Sequence, residues 1–339
     1  RIARIARVAR IGVGMTTPAT FIDAFDGFIV DADGVLYRGS APVPYAIDAM
    51  TEVAQSRPWC VVTNNAANAP GVVAEKLRGL GLAADDGNVV TSPQGAAVFL
   101  ARHHIAASAH VFVVGGAGID HALLEAGFVP VREPDPSAVA VVQGLGMEVC
   151  WNDLANAGYA IQSGALWVAT TPDTSLPTEQ GLAPGNGALV AALSATLGRQ
   201  PDAVTGKPEP LLFEVAAERL GAGTALVIGD RVDTDIRGAN RAGMESLLVL
   251  TGVVQARDLA TLASVDPEFR PTYLAEDLRA LADSVDGARI ADTEASGGGA
   301  LGEVRRLLAR SWAGIEPLSE SDPALVNACG AVADDLRHR

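Results

Sequence analysis

Two aspartates separated by a single residue, Asp31 and Asp33, stand at the end of the apolar, β-prone run Ile29-Val30, and Gly34 then opens a turn. This spacing can place a fixed carboxylate nucleophile, a neighbouring acid/base carboxylate and a metal ligand in one loop. Taken alone, Asp-x-Asp-Gly also describes a strand ending in a capped turn. Three later segments add to it. Thr63-Asn64-Asn65 follows an apolar run, Lys207 lies in Thr205-Gly206-Lys207-Pro208, and Gly229-Asp230-Arg231-Val232-Asp233-Thr234-Asp235 follows another apolar run. A hydroxyl, a lysine and a second carboxylate cluster thus stand at or just beyond apolar runs, where an open parallel sheet gathers its binding groups.

In this order the four segments resemble the motifs of the haloacid dehalogenase superfamily of aspartate-nucleophile phosphatases, over roughly residues 25–277. The long stretch between Asn65 and Lys207 is similar to the large α/β cap of the subfamily of nucleotide and p-nitrophenyl phosphate phosphatases. Within that subfamily the chain is similar to the actinobacterial glycerol 3-phosphate phosphatases, which carry a further acetyltransferase-like tail. The resemblance implies an α/β fold: a Rossmann-like parallel-sheet hydrolase core with an inserted α/β cap domain and a short C-terminal extension. It also implies a Mg²⁺-dependent phosphomonoesterase of a small phosphorylated metabolite, with glycerol 3-phosphate preferred. Phosphoglycolate, pyridoxal phosphate, sugar phosphates and nucleotides are alternatives within the same mechanism, as is phosphoryl transfer to a metabolite acceptor.

On that resemblance Asp31 is the nucleophile that forms an aspartyl-phosphate, and Asp33 protonates the leaving alkoxide and then activates water. Mg²⁺, a hard cation, takes oxygen ligands from Asp31, Asp230 and the backbone carbonyl of Asp33. Asp235 is expected behind the direct ligands, and Asp233 reads equally well as a helix N-cap. Thr63 and Asn64 supply hydrogen bonds to the phosphoryl oxygens, and Lys207 supplies positive charge. Thr171-Pro172-Asp173 occupies the family's usual Asn-Pro-Asp position, with threonine replacing asparagine. Trp151, Asn152 and Asp153 read either as a substrate-facing lip or as a cap helix with Trp151 packed. The glycines of 114–118 and 181–187 lack a complete nucleotide-binding signature and read as turns.

The formal charge of −15 and pI near 4.7 over 339 residues disfavour a nucleic-acid partner. Phosphate binding must therefore rest on local positive groups and metal. Cys60, Cys150 and Cys329 form neither a disulfide framework nor a zinc pattern, so a reducing cytoplasm is expected. No apolar run reaches the ~20 residues of a spanning helix. Arg1, Arg4, Arg7 and Arg10 stand at helical spacing in what reads as a leader. Self-association is compatible with the sequence, which fixes no symmetry for it.

These residues need a scaffold. Alternating runs predict strands at 28–31, 59–63, 88–91, 225–228 and 246–250, with helices at 45–57, 70–80, 211–220 and 234–242. Pro208 is expected in the first turn of the helix at 211–220. Strands at 110–114, 138–142 and 166–169, with helices at 120–125 and 148–157, predict a second α/β unit. The expected organisation is a leader at 1–20, a split core at 21–102 and 201–285, a cap at 103–200, and a linker and extension at 286–339. In the extension, a helix at 301–310 is expected to dock through Val304, Leu307 and Leu308 with its arginines facing solvent.

Overall fold

The computed structural model describes residues 19–178, 180–291, 297–315 and 317–337; the expected leader lies outside them. Its centre is a six-stranded parallel sheet. In spatial order the strands are Tyr273–Ala275, Glu245–Val249, Ala225–Gly229, Gly27–Val30, Trp59–Thr63 and Val89–Thr91. The central strands are apolar throughout because both faces are covered. Phe28, Val30, Trp59, Val61, Leu226 and Ile228 pack on one side, with the helices Ala46–Ser56 and Pro70–Gly79. Ile29, Cys60, Val62 and Val227 pack on the other, with Leu212, Phe213 and Ala216 of the helix Leu211–Leu220. The strands therefore point their carboxyl ends the same way, and the loops beyond those ends lie side by side.

An inserted unit carries a second parallel sheet, ordered Ala203–Val204, Leu166–Ala169, Ala140–Gln143, His110–Val114 and Val129–Val131. The helices Trp151–Gln162 and Asn186–Leu197 cover one face, around Trp167 and Phe112. The helices Ser92–Arg102 and Ala117–Glu125 cover the other, around Val111, Val113 and Val142. A hairpin, Ser175–Thr178 with Gly181–Pro184, projects from this unit. The glycines of 181–187 thus form a strand and a helix start instead of turns alone, while Gly115 and Gly116 lead into the helix at Ala117 as a turn would.

The extension forms the helices Gly299–Trp312 and Pro323–Arg337. Val304, Leu307, Leu308, Leu325 and Val332 join Leu248, Leu259 and Leu274 in one apolar cluster. One expectation for this segment is corrected: Arg305 does not face solvent. It is buried and donates to the carbonyls of Leu274 and Gly287, which would otherwise lie unpaired beneath the helix. Among the described residues no helix is long and apolar enough to cross a membrane.

Candidate active site

Asp31 is the first residue beyond its strand, and its N–H continues the ladder by donating to the Ile228 carbonyl at 2.9 Å. The chain then turns sharply at Gly34, whose φ of +89° favours glycine. Space demands glycine there as well, because a Cβ would lie 2.5 Å from Oδ2 of Asp230. A short hairpin, Tyr37–Arg38 with Ala41–Pro42, rises after it. Asp33 is exposed on this turn, just outside the buried cluster.

Asp230 follows the neighbouring strand and is buried. Its Oδ2 accepts the Val253 N–H at 2.6 Å, whereas its Oδ1 is buried with no partner among the described residues. A Cβ on Gly252 would come within 1.9 Å of that carboxylate, so Gly34 and Gly252 are the two sides of a slot cut to its shape. The slot is closed by Thr251, whose hydroxyl donates to the Gly34 carbonyl at 2.7 Å, and by Arg38, whose Nε donates to the Thr251 carbonyl at 2.7 Å. The motif reading passes over Thr251, Gly252 and Val253. They follow the end of the strand Glu245–Val249, and that position is the signal that could have found them.

Lys207 is 4% exposed. Its Nζ donates to Oδ1 of Asp235 at 2.6 Å and also to Asp31. Pro208 lies before the helix and outside its first turn, because Pro210 takes the N-cap position. The second oxygen of Asp235 accepts the Arg231 N–H at 3.1 Å, so both of its oxygens are engaged inside the protein. Asp233 is not a cap: it pairs with the Arg231 guanidinium at 2.6 Å, alongside a π-turn at Val232–Ile236.

Asp31, Asp230 and Asp235 each offer an oxygen within 4.8 Å of the others. Burial raises all three carboxyls above their ordinary range, with Asp230 and Asp235 reaching about 6. Lys207 opposes that rise in each of them. Burial pulls the Lys207 ammonium down, but Asp235 and Asp31 outweigh it and hold the ammonium charged. One cation for three buried acids leaves negative charge in excess. A hard divalent cation fits this donor set, and the unpartnered Oδ1 of Asp230 is the observation that argues for one.

Thr63 ends its strand beside this cluster. Its oxygen accepts the Asn65 N–H at 3.2 Å, which leaves its own hydrogen to donate. Asn64 differs from expectation. Its side-chain amide donates to Oδ2 of Asp173 at 3.0 Å and to the Lys207 carbonyl at 3.1 Å, so neither amide hydrogen is left for phosphate. Thr171 is buried and its carbonyl accepts from Asn186 Nδ2 at 2.9 Å, while Pro172 is exposed. Trp151 is 74% exposed on the first turn of its helix, which corrects the packed reading. Asn152 is exposed next to it, and Asp153 caps the same helix by accepting the Cys150 N–H at 2.8 Å.

A family model described as haloacid dehalogenase-like hydrolase matches residues 28–129, and one described as HAD-hydrolase-like matches residues 204–281. The chain is 45% identical over 256 residues to D-glycerol 3-phosphate phosphatase of Mycobacterium tuberculosis, which covers 76% of this chain and 70% of that protein. It is 36% identical over 259 residues to acid sugar phosphatase of Staphylococcus aureus, covering 75% and 95% of the two chains. Among solved structures, the M. tuberculosis glycerol phosphate phosphatase in complex with magnesium superposes with a TM-score of 0.83 at 38% identity, over 94% of this chain and 99% of that one. The p-nitrophenyl phosphatase of Archaeoglobus fulgidus gives 0.70 at 28% identity, over 77% and 99%.

Proposed function

The chain belongs to the haloacid dehalogenase-like hydrolases and is one of their phosphoric monoester hydrolases, and from that premise we propose that it hydrolyses glycerol 3-phosphate, with Mg²⁺, through an aspartyl-phosphate on Asp31. The reading rests on one observation: three clustered carboxylates, two of them paired with a single ammonium, stand at the carboxyl ends of parallel strands, and among the described residues the Oδ1 of Asp230 has no partner. The choice of glycerol 3-phosphate rests on the likeness to the M. tuberculosis enzyme over most of both chains.

In the first step a carboxylate oxygen of Asp31 attacks phosphorus, and the bond from phosphorus to the ester oxygen breaks. Asp33 gives its proton to the departing alkoxide, which leaves as glycerol. In the second step Asp33 takes a proton from water as that water attacks the phosphorus of the aspartyl-phosphate, which restores Asp31 and releases inorganic phosphate. The exposure of Asp33 suits this exchange with leaving group and water. The Thr63 hydroxyl donates to a phosphoryl oxygen, and Lys207 Nζ, already at Asp31, offsets the charge gathering around it. Asp31, Asp230 and the Asp33 carbonyl would hold the ion, which would supply charge neutralisation between anionic nucleophile and anionic ester. Asp235, with both oxygens occupied, holds Lys207 in place.

In this reading residues 21–102 and 201–285 carry the catalytic core, although Ser92–Arg102 packs on the inserted sheet and Ala203–Val204 is its edge strand; 103–200 form the cap that screens the leaving group, and 286–339 an extension. The three cysteines are free thiols, in keeping with a cytoplasmic setting. The test is inorganic phosphate release from glycerol 3-phosphate, phosphoglycolate, pyridoxal phosphate and a nucleotide, in Mg²⁺ and in EDTA. Metal-dependent turnover led by glycerol 3-phosphate is expected. A different leading ester would replace the substrate, and an absence of turnover on every ester would overturn the reading.

A further inference from the structure

Three remote segments meet at the side-chain amide of Asn64. Its Oδ1 accepts the backbone N–H of Lys207 at 2.8 Å, and its Nδ2 donates to the backbone carbonyl of the same lysine at 3.1 Å. The amide thus pairs with both backbone groups of Lys207, as a neighbouring strand would. The second hydrogen on Nδ2 goes to Oδ2 of Asp173 at 3.0 Å, in the segment that leaves the second sheet after Ala169. Both donors of the amide are used. Two further contacts make the arrangement specific. The Asn64 carbonyl accepts the Ser92 hydroxyl at 3.0 Å, which fixes the backbone that carries the amide. A Cβ on Gly206 would lie 2.3 Å from the Thr170 carbonyl and 2.7 Å from Asn64 Oδ1, so only a glycine lets the chain before Lys207 pass between them.

We propose that Asn64 is a positioning residue, which fixes the backbone of Lys207 and ties that position to the inserted unit through Asp173, so that the seating of the cap and the placement of the lysine are one adjustment. This rests on the reading of Lys207 as the phosphate-side cation. A lysine side chain has four rotatable bonds, and a buried ammonium delivered to two carboxylates depends on where its backbone starts. Loss of the Asp173 contact frees one amide hydrogen and lets the amide rotate away from Lys207. The two residues therefore act in series.

The experiment is a double-mutant cycle with two readouts, on Asn64→Ala, Asp173→Ala and the pair, with the near-isosteric Asn64→Asp as the variant that retains the acceptor for the Lys207 N–H. Steady-state phosphate release should show kcat falling about ten-fold or more in each single variant, with KM changing less. In the pair, the second substitution should cost much less than it does alone. Equal losses of Asn64→Ala in both backgrounds would mark an independent phosphate ligand and overturn the proposal. Hydrogen exchange needs no turnover: Asn64→Ala should speed exchange in a peptide over 203–209, Asn64→Asp, which keeps the acceptor for the Lys207 N–H, should speed it less, and both should leave 225–229 unchanged. Unchanged exchange at 203–209 would overturn the clamp even in an active enzyme. A wild type that cleaves no ester would overturn the functional reading alone, and the exchange comparison would still decide the clamp.

Discussion

Oδ1 of Asp235 lies 2.6 Å from the Lys207 ammonium, and the same ammonium contacts Asp31, so one buried cation serves the acid proposed to react and a second acid that holds it. Lys207→Met removes the positive charge and leaves both acids uncompensated. We expect kcat to fall on the order of 10²–10³-fold, with far-ultraviolet circular dichroism confirming the fold. Lys207→Arg should not rescue it, because a planar guanidinium cannot occupy the space of a compact ammonium between two carboxylates.

The buried acids predict an unusual pH dependence of stability without metal. Asp230 and Asp235 have carboxyls raised to about 6, from an ordinary value of 3.8, chiefly by burial. Between those values the folded state binds more protons than the unfolded state, so stability falls as pH rises through the window. For Asp230 the effect is on the order of 3 kcal/mol at most. In EDTA, Tm should therefore drop between pH 4.5 and 7. Mg²⁺ competes with the Asp230 proton, so the Tm gain it confers should grow over the same interval. A gain equal at pH 5 and pH 7 would contradict the placement of the ion at Asp230.

Gly252 tests the slot around Asp230. A Cβ there would meet the carboxylate at 1.9 Å, so Gly252→Ala must push Asp230 aside. The Mg²⁺ concentration for half-maximal activity should rise about ten-fold or more, and calorimetric titration with Mg²⁺ should show the same loss. Gly330→Ala is the control. Gly330 lies within the helix Pro323–Arg337 with open space around its Cβ position, and alanine there should stabilise by about 1 kcal/mol without touching metal affinity.

The proposed nucleophile and its proposed acid/base partner separate by step. Asp31→Asn removes the attacking oxygen, and phosphate release should fall to background in a folded protein. Asp33→Asn keeps the attack but loses the proton donor, so kcat should fall about 10²–10⁴-fold. An ester with a good leaving group, such as p-nitrophenyl phosphate, needs less protonation and should narrow the first-step deficit. A pre-steady-state burst of nitrophenol from Asp33→Asn would show the intermediate waiting for its water.

How much of this could be read from the chain depends on how local each feature is. Trp59–Thr63, His110–Val114 and Leu166–Ala169 are strands at the expected residues, because a strand buried on both faces is a continuous apolar run. Val129–Val131 carries Pro130 at a sheet edge, and Ala203–Val204 is two residues long, so neither leaves a local pattern. The helix Asn186–Leu197 hides behind the Gly-Asn-Gly at its start. In the same way, Asp31, Thr63 and Asp230 announce themselves by following strands, whereas the engagement of Asn64 with Asp173 and Lys207 joins residues 109 and 143 apart. Nothing in the local spacing encodes a partner at that distance.

Arg305 extends that point to the extension. Its guanidinium donates to the Leu274 carbonyl at 2.9 and 2.7 Å and to the Gly287 carbonyl at 2.5 Å, and burial draws it down to about 10. The Leu274 carbonyl belongs to the sheet's outermost strand, so the helix Gly299–Trp312 is bonded to the core as well as packed on it. Arg305→Leu keeps most of the apolar contact but leaves those carbonyls buried without donors. The cost should be about 2–3 kcal/mol, read as a lower urea midpoint with unchanged slope. Because the catalytic carboxylates make no contact with this helix among the described hydrogen bonds and ion pairs, kcat of the folded fraction should stay at the wild-type value. A chain ending at residue 298 loses the buried side chains of Val304, Leu308, Leu325 and Val332 as well, and should unfold at a still lower midpoint. If Arg305→Leu melts like the wild type, the helix is held by its apolar face alone.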